Sequence, residues 1–360
     1  MSIQLLIQHT LYIMHIEPFG QLPSGEEVSL FTLESKGGAK ARITNYGGIL
    51  VNLWIPDAKG EWVDVVLGFD TLEEYLGDHP YFNAIIGRYG NRIGQSSFTL
   101  EGTTYELDKN HGPHHLHGGF VGFDKQLWDA QAGTNEEGDD FVVLSLTSPD
   151  GDAGYPGTLK VEVTYTLTQD NQWIIEYEAT TDKATHVNLT QHAYFNLKGA
   201  GDVLEHELMI TADSITETDE ALVPTGQLVE VAEGPFDFNA PKPIGADIDA
   251  DDAAIKAGFG YDHNFVIRDW DDSLRLIAEV FEPSRGIFME VSSSEPGVQL
   301  YTANHLKDLT GKGGTVYQPR TAFCLETQHF PDTPNRPEFP TTELKPGETY
   351  KSTTVYAFRA

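Results

Sequence analysis

The chain has 360 residues, 39% of them hydrophobic and 11% aromatic, which suits a folded globular protein and excludes a disordered one. Asp and Glu number 55 against 23 Lys and Arg, a formal net charge of −32; such a surface repels phosphate backbones and anionic lipid, so neither nucleic acid nor membrane is an expected partner, whereas a neutral small molecule meets no such barrier. The single cysteine, Cys324, rules out an intrachain disulfide and any multi-cysteine metal site.

The first residues, MSIQLLIQHTLYI, carry no Lys or Arg before their apolar part, and polar side chains interrupt that part. No small-residue cleavage site follows, so the stretch does not read as a signal peptide. It is too short and too polar to span a bilayer. Residues 1–13 read as an extension, either dispensable or an extra edge strand, ahead of one domain over residues 14–360. A cytoplasmic location is the expectation.

From there alternation dominates. VSLFTL, ARITNYG, ILVNLWIP and WVDVVLGF read as strands, followed by TLEEYLG, the best helical stretch. FVVLSLTS is a further strand. In TLKVEVTYTLT, Leu159, Val161, Val163, Tyr165 and Leu167 share one face, and Lys160, Glu162, Thr164, Thr166 and Thr168 the other. WIIEYEAT follows the turn-like QDNQ with Trp173, Ile175 and Tyr177 inward, so the pair reads as a hairpin. The acidic stretch ADIDADDAAIKAG (residues 246–258) reads as a surface loop with a short helical end, and lacks the central Gly and final Glu of a calcium loop. LRLIAEVFE, IFMEVSSS and TTVYAFRA complete the strands. With 35 Gly and 19 Pro as punctuation, the pattern predicts an all-β fold, a single-domain antiparallel sandwich or barrel.

Six stretches break the strand pattern with polar residues: GRYGNRIG (Arg88, Asn91, Arg92), NHGPHHLHGG (His111, His114, His115, His117), VNLTQHAYFNL (Asn188, His192, Tyr194, Asn196), GYDHNFVI (Asp262, His263), PGVQLYTAN (Gln299) and CLETQHF (Glu326). His115 and His117 have the same-face spacing of a strand metal pair, but no nearby glutamate completes a site, and histidines hydrogen-bonded within a turn explain the run equally. No G-x-S-x-G and no phosphate-cradling Lys-Ser/Thr loop is present. What remains is histidine and carboxylate, the tools of general acid–base catalysis. On the residues alone, His192 also reads as a satisfied core histidine, and Glu326 as the partner of Arg92 in a buried salt bridge.

Taken together and in order, these six stretches resemble the aldose 1-epimerases (galactose mutarotases), from about residue 25 to the C-terminus. The resemblance implies a large sandwich of strongly curved antiparallel sheets and interconversion of the α and β anomers of free hexoses, with no metal and no organic cofactor. It implies Glu326 as the base on the C1 hydroxyl, His192 as the acid on the ring oxygen, and His117 near that oxygen. Asn91, Arg92, Asp262 and Gln299 carry over as sugar ligands, with Tyr194 lining the apolar ring face. The expected working form has Glu326 ionised and His192 protonated, and the expected partner is a free aldohexose met by a monomer or weak dimer. Gly90, Thr185-His186, Gln191 and Ala193 depart from the usual family residues without removing a proposed catalytic group.

Overall fold

The computed structural model of the protein describes residues 15–360; the extension expected over residues 1–13 lies outside them. The described chain is an all-β antiparallel sandwich, as expected, built from one nine-stranded and two five-stranded sheets with short two-stranded ribbons between them. The Leu159–Leu167 strand shows why. Its odd-numbered residues are all buried and its even-numbered ones lie outward or half-buried, the period of a strand with one wet face. It pairs with Gln172–Thr181 in the register Val163↔Tyr177, so the inward sets of the hairpin meet. Fully burying an aliphatic side chain such as Leu159 or Ile175 contributes roughly 1.5–3 kcal/mol.

The nine-stranded sheet begins as a meander, Asp129–Thr134, Asp140–Ser148, Leu159–Leu167 and Gln172–Thr181. The C-terminal strand Tyr350–Arg359 lies fifth and ties this meander to Ile287–Ser293, Arg275–Glu282, Glu207–Ile210 and Lys242–Pro243. The N-terminal sheet is a second meander, His15–Gln21 through Trp62–Asp64. Register shifts at Pro18/Gly20, Arg42/Ile43, Thr216/Thr218 and Leu276/Ala278 mark bulges, which bend strands.

The remaining five-stranded sheet carries the chemistry. Its order is Pro224–Glu230, Ala212–Thr218, Asp262–Ile267, Gly297–Tyr301 and Cys324–Gln328. Two short helices flank the sheets. Leu72–Tyr75 starts where the Glu74 carboxylate accepts the Thr71 N–H at 3.0 Å. Ala253–Gly258 starts where Asp252 accepts from the N–H groups of Ala254 and Ile255. The acidic stretch is therefore a loop only up to Asp252; its second half is a helix, because Asp252 caps it and Ile255 packs inward.

Candidate active site

The Cys324–Gln328 strand is buried along its whole length. Cys324, Glu326 and Gln328 therefore share a covered face, and Glu326 is only 2% exposed. It pairs with Gly297–Tyr301 so that Gln299 stands opposite Glu326, and that strand pairs with Asp262–Ile267 so that Asp262 stands opposite Tyr301. Three strands thus bring Asp262, Gln299 and Glu326 onto one face although 64 residues separate the first from the last in the sequence.

The histidines arrive from other elements. His192 follows the Thr190–Gln191 ribbon, and its backbone is fixed on both sides: its N–H donates to Ala84 O at 3.1 Å, and its carbonyl accepts the Asn83 N–H at 3.1 Å. The imidazole runs parallel to the Tyr194 ring at 4.9 Å between centroids, and its Nε2 lies 3.7 Å from Glu326 Oε1. His117 leaves the His115–Leu116 ribbon in a left-handed turn (φ 49°), which points its ring edgewise at His192 with centroids 5.2 Å apart. Its Nδ1 accepts the Asn91 N–H at 3.1 Å. A neutral ring so held carries its proton on Nε2.

Arg92 and Asp262 form the polar end of the same cavity. Arg92 Nη2 donates to Asp262 Oδ2 at 3.2 Å, and Gln299 Nε2 donates to Asp262 Oδ1 at 2.7 Å. Asn91 Oδ1 accepts from the Arg92 N–H and from its Nη1. Arg92 is thus the partner of Asp262, and the alternative in which it neutralises Glu326 is corrected. Gln299 does not line the cavity; it stands behind Asp262 and orients it. Tyr194 lines the cavity by its ring, its hydroxyl being committed to Pro80 O at 2.8 Å.

The cavity has a volume of about 340 Å³, within the range of small-molecule sites. Of the side-chain atoms lining the cavity, Glu326 Oε2, His192 Nδ1 and Arg92 Nε are buried without a hydrogen-bond partner in the protein, as are atoms of Asp124, Trp173, Tyr177 and others elsewhere in the described fold. Buried polar groups in folded proteins are nearly all paired, so unpaired atoms on residues that line a cavity are available to a ligand. Another cavity, of about 360 Å³ beside Lys312, shows the opposite: Lys312 Nζ is spent on Asp64 and on Val66 O, both at 2.8 Å.

Burial dominates the electrostatics. It pushes the Glu326 carboxyl well above the ordinary carboxylate range, with the Asp262 charge adding to it and Arg92 opposing. Burial likewise lowers His192 to about 4 and His117 well below its usual value. For Asp262 burial again acts upward, but the Arg92 charge and the Gln299 amide outweigh it and hold the carboxyl below its usual range. Burial by itself therefore works against the expected ionised glutamate and protonated histidine. It favours a neutral Glu326 beside a neutral His192, because a low-dielectric site disfavours every isolated charge.

His117, His192 and Glu326 bring three ligand-type atoms within 4.8 Å of one another. The His117 tautomer argues against a cation there, since Nδ1 is occupied by the Asn91 N–H and Nε2 must keep the proton. The His115–His117 strand pair is not a ligand pair at all. His115 turns away to Tyr155 and to Asp108 O, both at 2.9 Å.

Several lining residues escaped the sequence reading: Tyr81, His111, Leu222, Phe259, Tyr301 and His305. Tyr81 packs against His117 (4.7 Å) and parallel to His192 (6.1 Å). His111 and Tyr301 stood in two of the six polar stretches without a role; nothing local to the others distinguishes them from core aromatics or turn residues. Arg88, from the same motif as Arg92, is structural: its guanidinium donates to the carbonyls of Ser148, Pro149, Pro156 and Gly157. Gln191, flanking His192, turns its amide to the Tyr165 hydroxyl and does not reach the cavity.

Comparison with known proteins gives a consistent picture. A family model described as Aldose 1-epimerase matches residues 29–357. The galactose mutarotase of Rattus norvegicus is 43% identical over 344 residues, covering 94% of this chain and 97% of that one. The aldose 1-epimerase of Escherichia coli K12 is 37% identical over 341 residues, with the same coverage of both chains. Among solved structures, an aldose epimerase homologue from C. elegans superposes with a TM-score of 0.84 at 33% identity, covering 92% of this chain and 99% of its own. A galactose 1-epimerase from Lactobacillus acidophilus superposes with a TM-score of 0.85 at 28% identity, covering 96% and 98%.

Proposed function

The chain belongs to the aldose 1-epimerase family and is an isomerase of free sugars; from that premise we propose how its pocket works and on what. The substrate is a free aldohexose. Its C1 hydroxyl lies against Glu326 and its ring oxygen against His192, while Asp262, Arg92 and Asn91 grip hydroxyls on the far side. Asp262, held ionised, accepts two sugar hydroxyls, and Arg92 donates. Gln299 acts through Asp262.

Ring opening needs one proton removed and one delivered. Glu326 takes the proton from the C1 hydroxyl, that O–H electron pair becomes the carbonyl π bond, and the C1–O5 bond breaks. Its electrons pass to the ring oxygen, which takes a proton from His192. The aldehyde turns about C1–C2. Closure reverses each transfer, with O5 attacking the other face of C1, so the two groups exchange roles and the pocket ends as it began. His117, neutral, donates its Nε2–H near the ring oxygen.

The observation that carries this reading is the 3.7 Å separation of His192 Nε2 and Glu326 Oε1 in a site where both are nearly inaccessible to water. It also explains the inverted ionisation. The charged pair and the neutral pair differ only in where one proton resides. Once the ring is open, Glu326 has gained a proton and His192 has lost one, which is the neutral arrangement that burial favours. The pocket thereby stabilises the open-chain intermediate relative to the charged starting pair. Sugar hydroxyls and Arg92 offset the cost of the charged pair when the ring is closed.

Polarimetry with fresh α-D-glucose and α-D-galactose tests the reading. Loss of catalysis in both Glu326→Gln and His192→Asn is expected; a near-normal rate in both overturns the assignment. A hexose 6-phosphate is disfavoured because the one arginine lining the cavity is already paired and Asp262, Glu220 and Glu326 surround the space.

A further inference from the structure

Five of the eighteen residues lining the sugar pocket have left-handed backbone: Tyr81, Asn91, His117, Leu222 and Phe259, with φ of 58°, 65°, 49°, 59° and 56°. That conformation is unfavourable for any residue with a Cβ and most of all for bulky ones, and it concentrates where function maintains it. Asn91 and His117 use it to make their mutual hydrogen bond, Tyr81 to reach the two histidines, and Leu222 to bury its side chain. Phe259 has no such return. It is 68% exposed, and its only ring contact among the described residues is an edge-on one with His305 at 5.6 Å.

The local fold does not ask for a phenylalanine there. Residue 259 ends the Ala253–Gly258 helix, its N–H returning to Lys256 O and the Gly260 N–H to Ile255 O. This is the position where helices most often place glycine. Glycine stands on either side instead, tightly packed at 258 and sterically required at 260. A Cβ at 258 would lie 3.2 Å from His263 Cε1, and one at 260 would lie 2.7 Å from Asn304 Oδ1. Asn304 further pins the segment by donating to the carbonyls of Gly258 and Tyr261, each at 2.8 Å. Phe259 is thus held at a set distance from Asp262, three residues on.

We propose that Phe259 is a substrate-contacting specificity residue: its ring forms the outer wall of the pocket and lies against the C–H face of the sugar that Asp262 grips. The edge-on contact with His305 leaves a ring face free for this, and aromatic faces attract the slightly positive C–H groups of a pyranose. The proposal rests on this cavity being the sugar site. The ring contact of Phe259 is with His305 and not with His192, so its hold on the sugar is taken to be the same in the closed-ring and reacting forms, and it governs KM and leaves kcat unchanged.

The experiment compares Phe259→Gly, Phe259→Ala and Phe259→Tyr by polarimetry on D-galactose, with a thermal unfolding curve for each. Both truncations are expected to raise KM roughly three- to tenfold at constant kcat, and Phe259→Tyr to keep the wild-type KM. Phe259→Gly is also expected to raise the thermal midpoint by roughly 1–3 °C, since glycine relieves the left-handed backbone, and Phe259→Ala is not. An unchanged KM in both truncations overturns the proposal, as does a Phe259→Gly protein that loses stability and kcat together, which would make the ring a support for the loop. Failure of the underlying site reading has a different signature, full turnover in Glu326→Gln.

Discussion

Nε2 of His192 and Oε1 of Glu326 face each other at 3.7 Å in a pocket where the two side chains are 5% and 3% exposed. In the proposed mechanism they share one mobile proton. Removing either partner leaves the other with no means of completing the exchange. Glu326→Gln keeps the shape of the site and abolishes the base, so kcat falls by roughly two to four orders of magnitude. Far-UV circular dichroism remains that of the wild type, and polarimetry reads the loss.

The pH dependence follows from the same pair. Its active form holds one proton in total. Acid adds a second proton to His192, whose buried pKa is about 4, and activity falls below that pH. Alkali removes the shared proton, and because Glu326 is raised by burial this limb lies above the ordinary carboxylate range. A bell-shaped kcat/KM profile with an acid limb near 4 is expected. An acid limb at the ordinary histidine value of about 6.5 contradicts the lowering of His192 by burial.

On the proposed reading Asp262 is a sugar ligand and Gln299 its support. Asp262→Asn removes a charged acceptor of sugar hydroxyls and leaves Arg92 without its partner, so KM rises about ten- to a hundredfold. Gln299→Leu only frees Asp262 to move, and a rise of about two- to fivefold is expected, with kcat nearly unchanged. Equal effects of the two substitutions place Gln299 on the sugar itself.

The two arginines of GRYGNRIG are expected to part company. Arg88 is 2% exposed, with its guanidinium spread over four backbone carbonyls and the Ser148 hydroxyl. Arg88→Met strands those acceptors and costs about 3–5 kcal/mol of stability, read by denaturant unfolding, while kcat of the folded fraction is retained. Arg92→Met leaves Asp262 without its charge partner and so costs stability too, but it differs from Arg88→Met in also raising KM, because Arg92 lines the cavity.

Stability itself carries a signature of the buried histidines. Burial holds His79, His115, His186, His192, His206 and His263 each near 4, against about 6.5 in the unfolded chain. Between those values the unfolded state binds more protons, so stability rises with pH through that window and is lost as pH falls from 6.5 to 4. Each histidine contributes at most about 1.4 kcal/mol per pH unit. Glu326, Asp124 and Asp332, all raised by burial, act in the opposite sense, but three groups do not balance six histidines, to which His111 and His117, also lowered, add. A denaturant midpoint that drops steadily from pH 7 to pH 5 is the expected result.

Much of this was legible in the chain. The alternation in TLKVEVTYTLT gave away its hairpin because strand faces follow a period of two, which needs no knowledge of what lies above or below. The polar residues breaking that pattern, His117, His192, Asp262 and Glu326 among them, were identifiable as costly to bury without a purpose, and four distant elements do carry them into one cavity. Tertiary structure alone decided which carboxylate Arg92 holds, since Asp262 and Glu326 lie on neighbouring strand rows and only the pairing register selects between them. It alone turned His115 away and His117 inward, through a left-handed backbone step. It alone set the protonation of the pair, because a pKa depends on how much water and which charges surround a group, and those come from residues remote in the sequence. Phe259 was silent in the chain for the same reason: an aromatic between two glycines acquires meaning only once the fold leaves it standing at the mouth of a pocket.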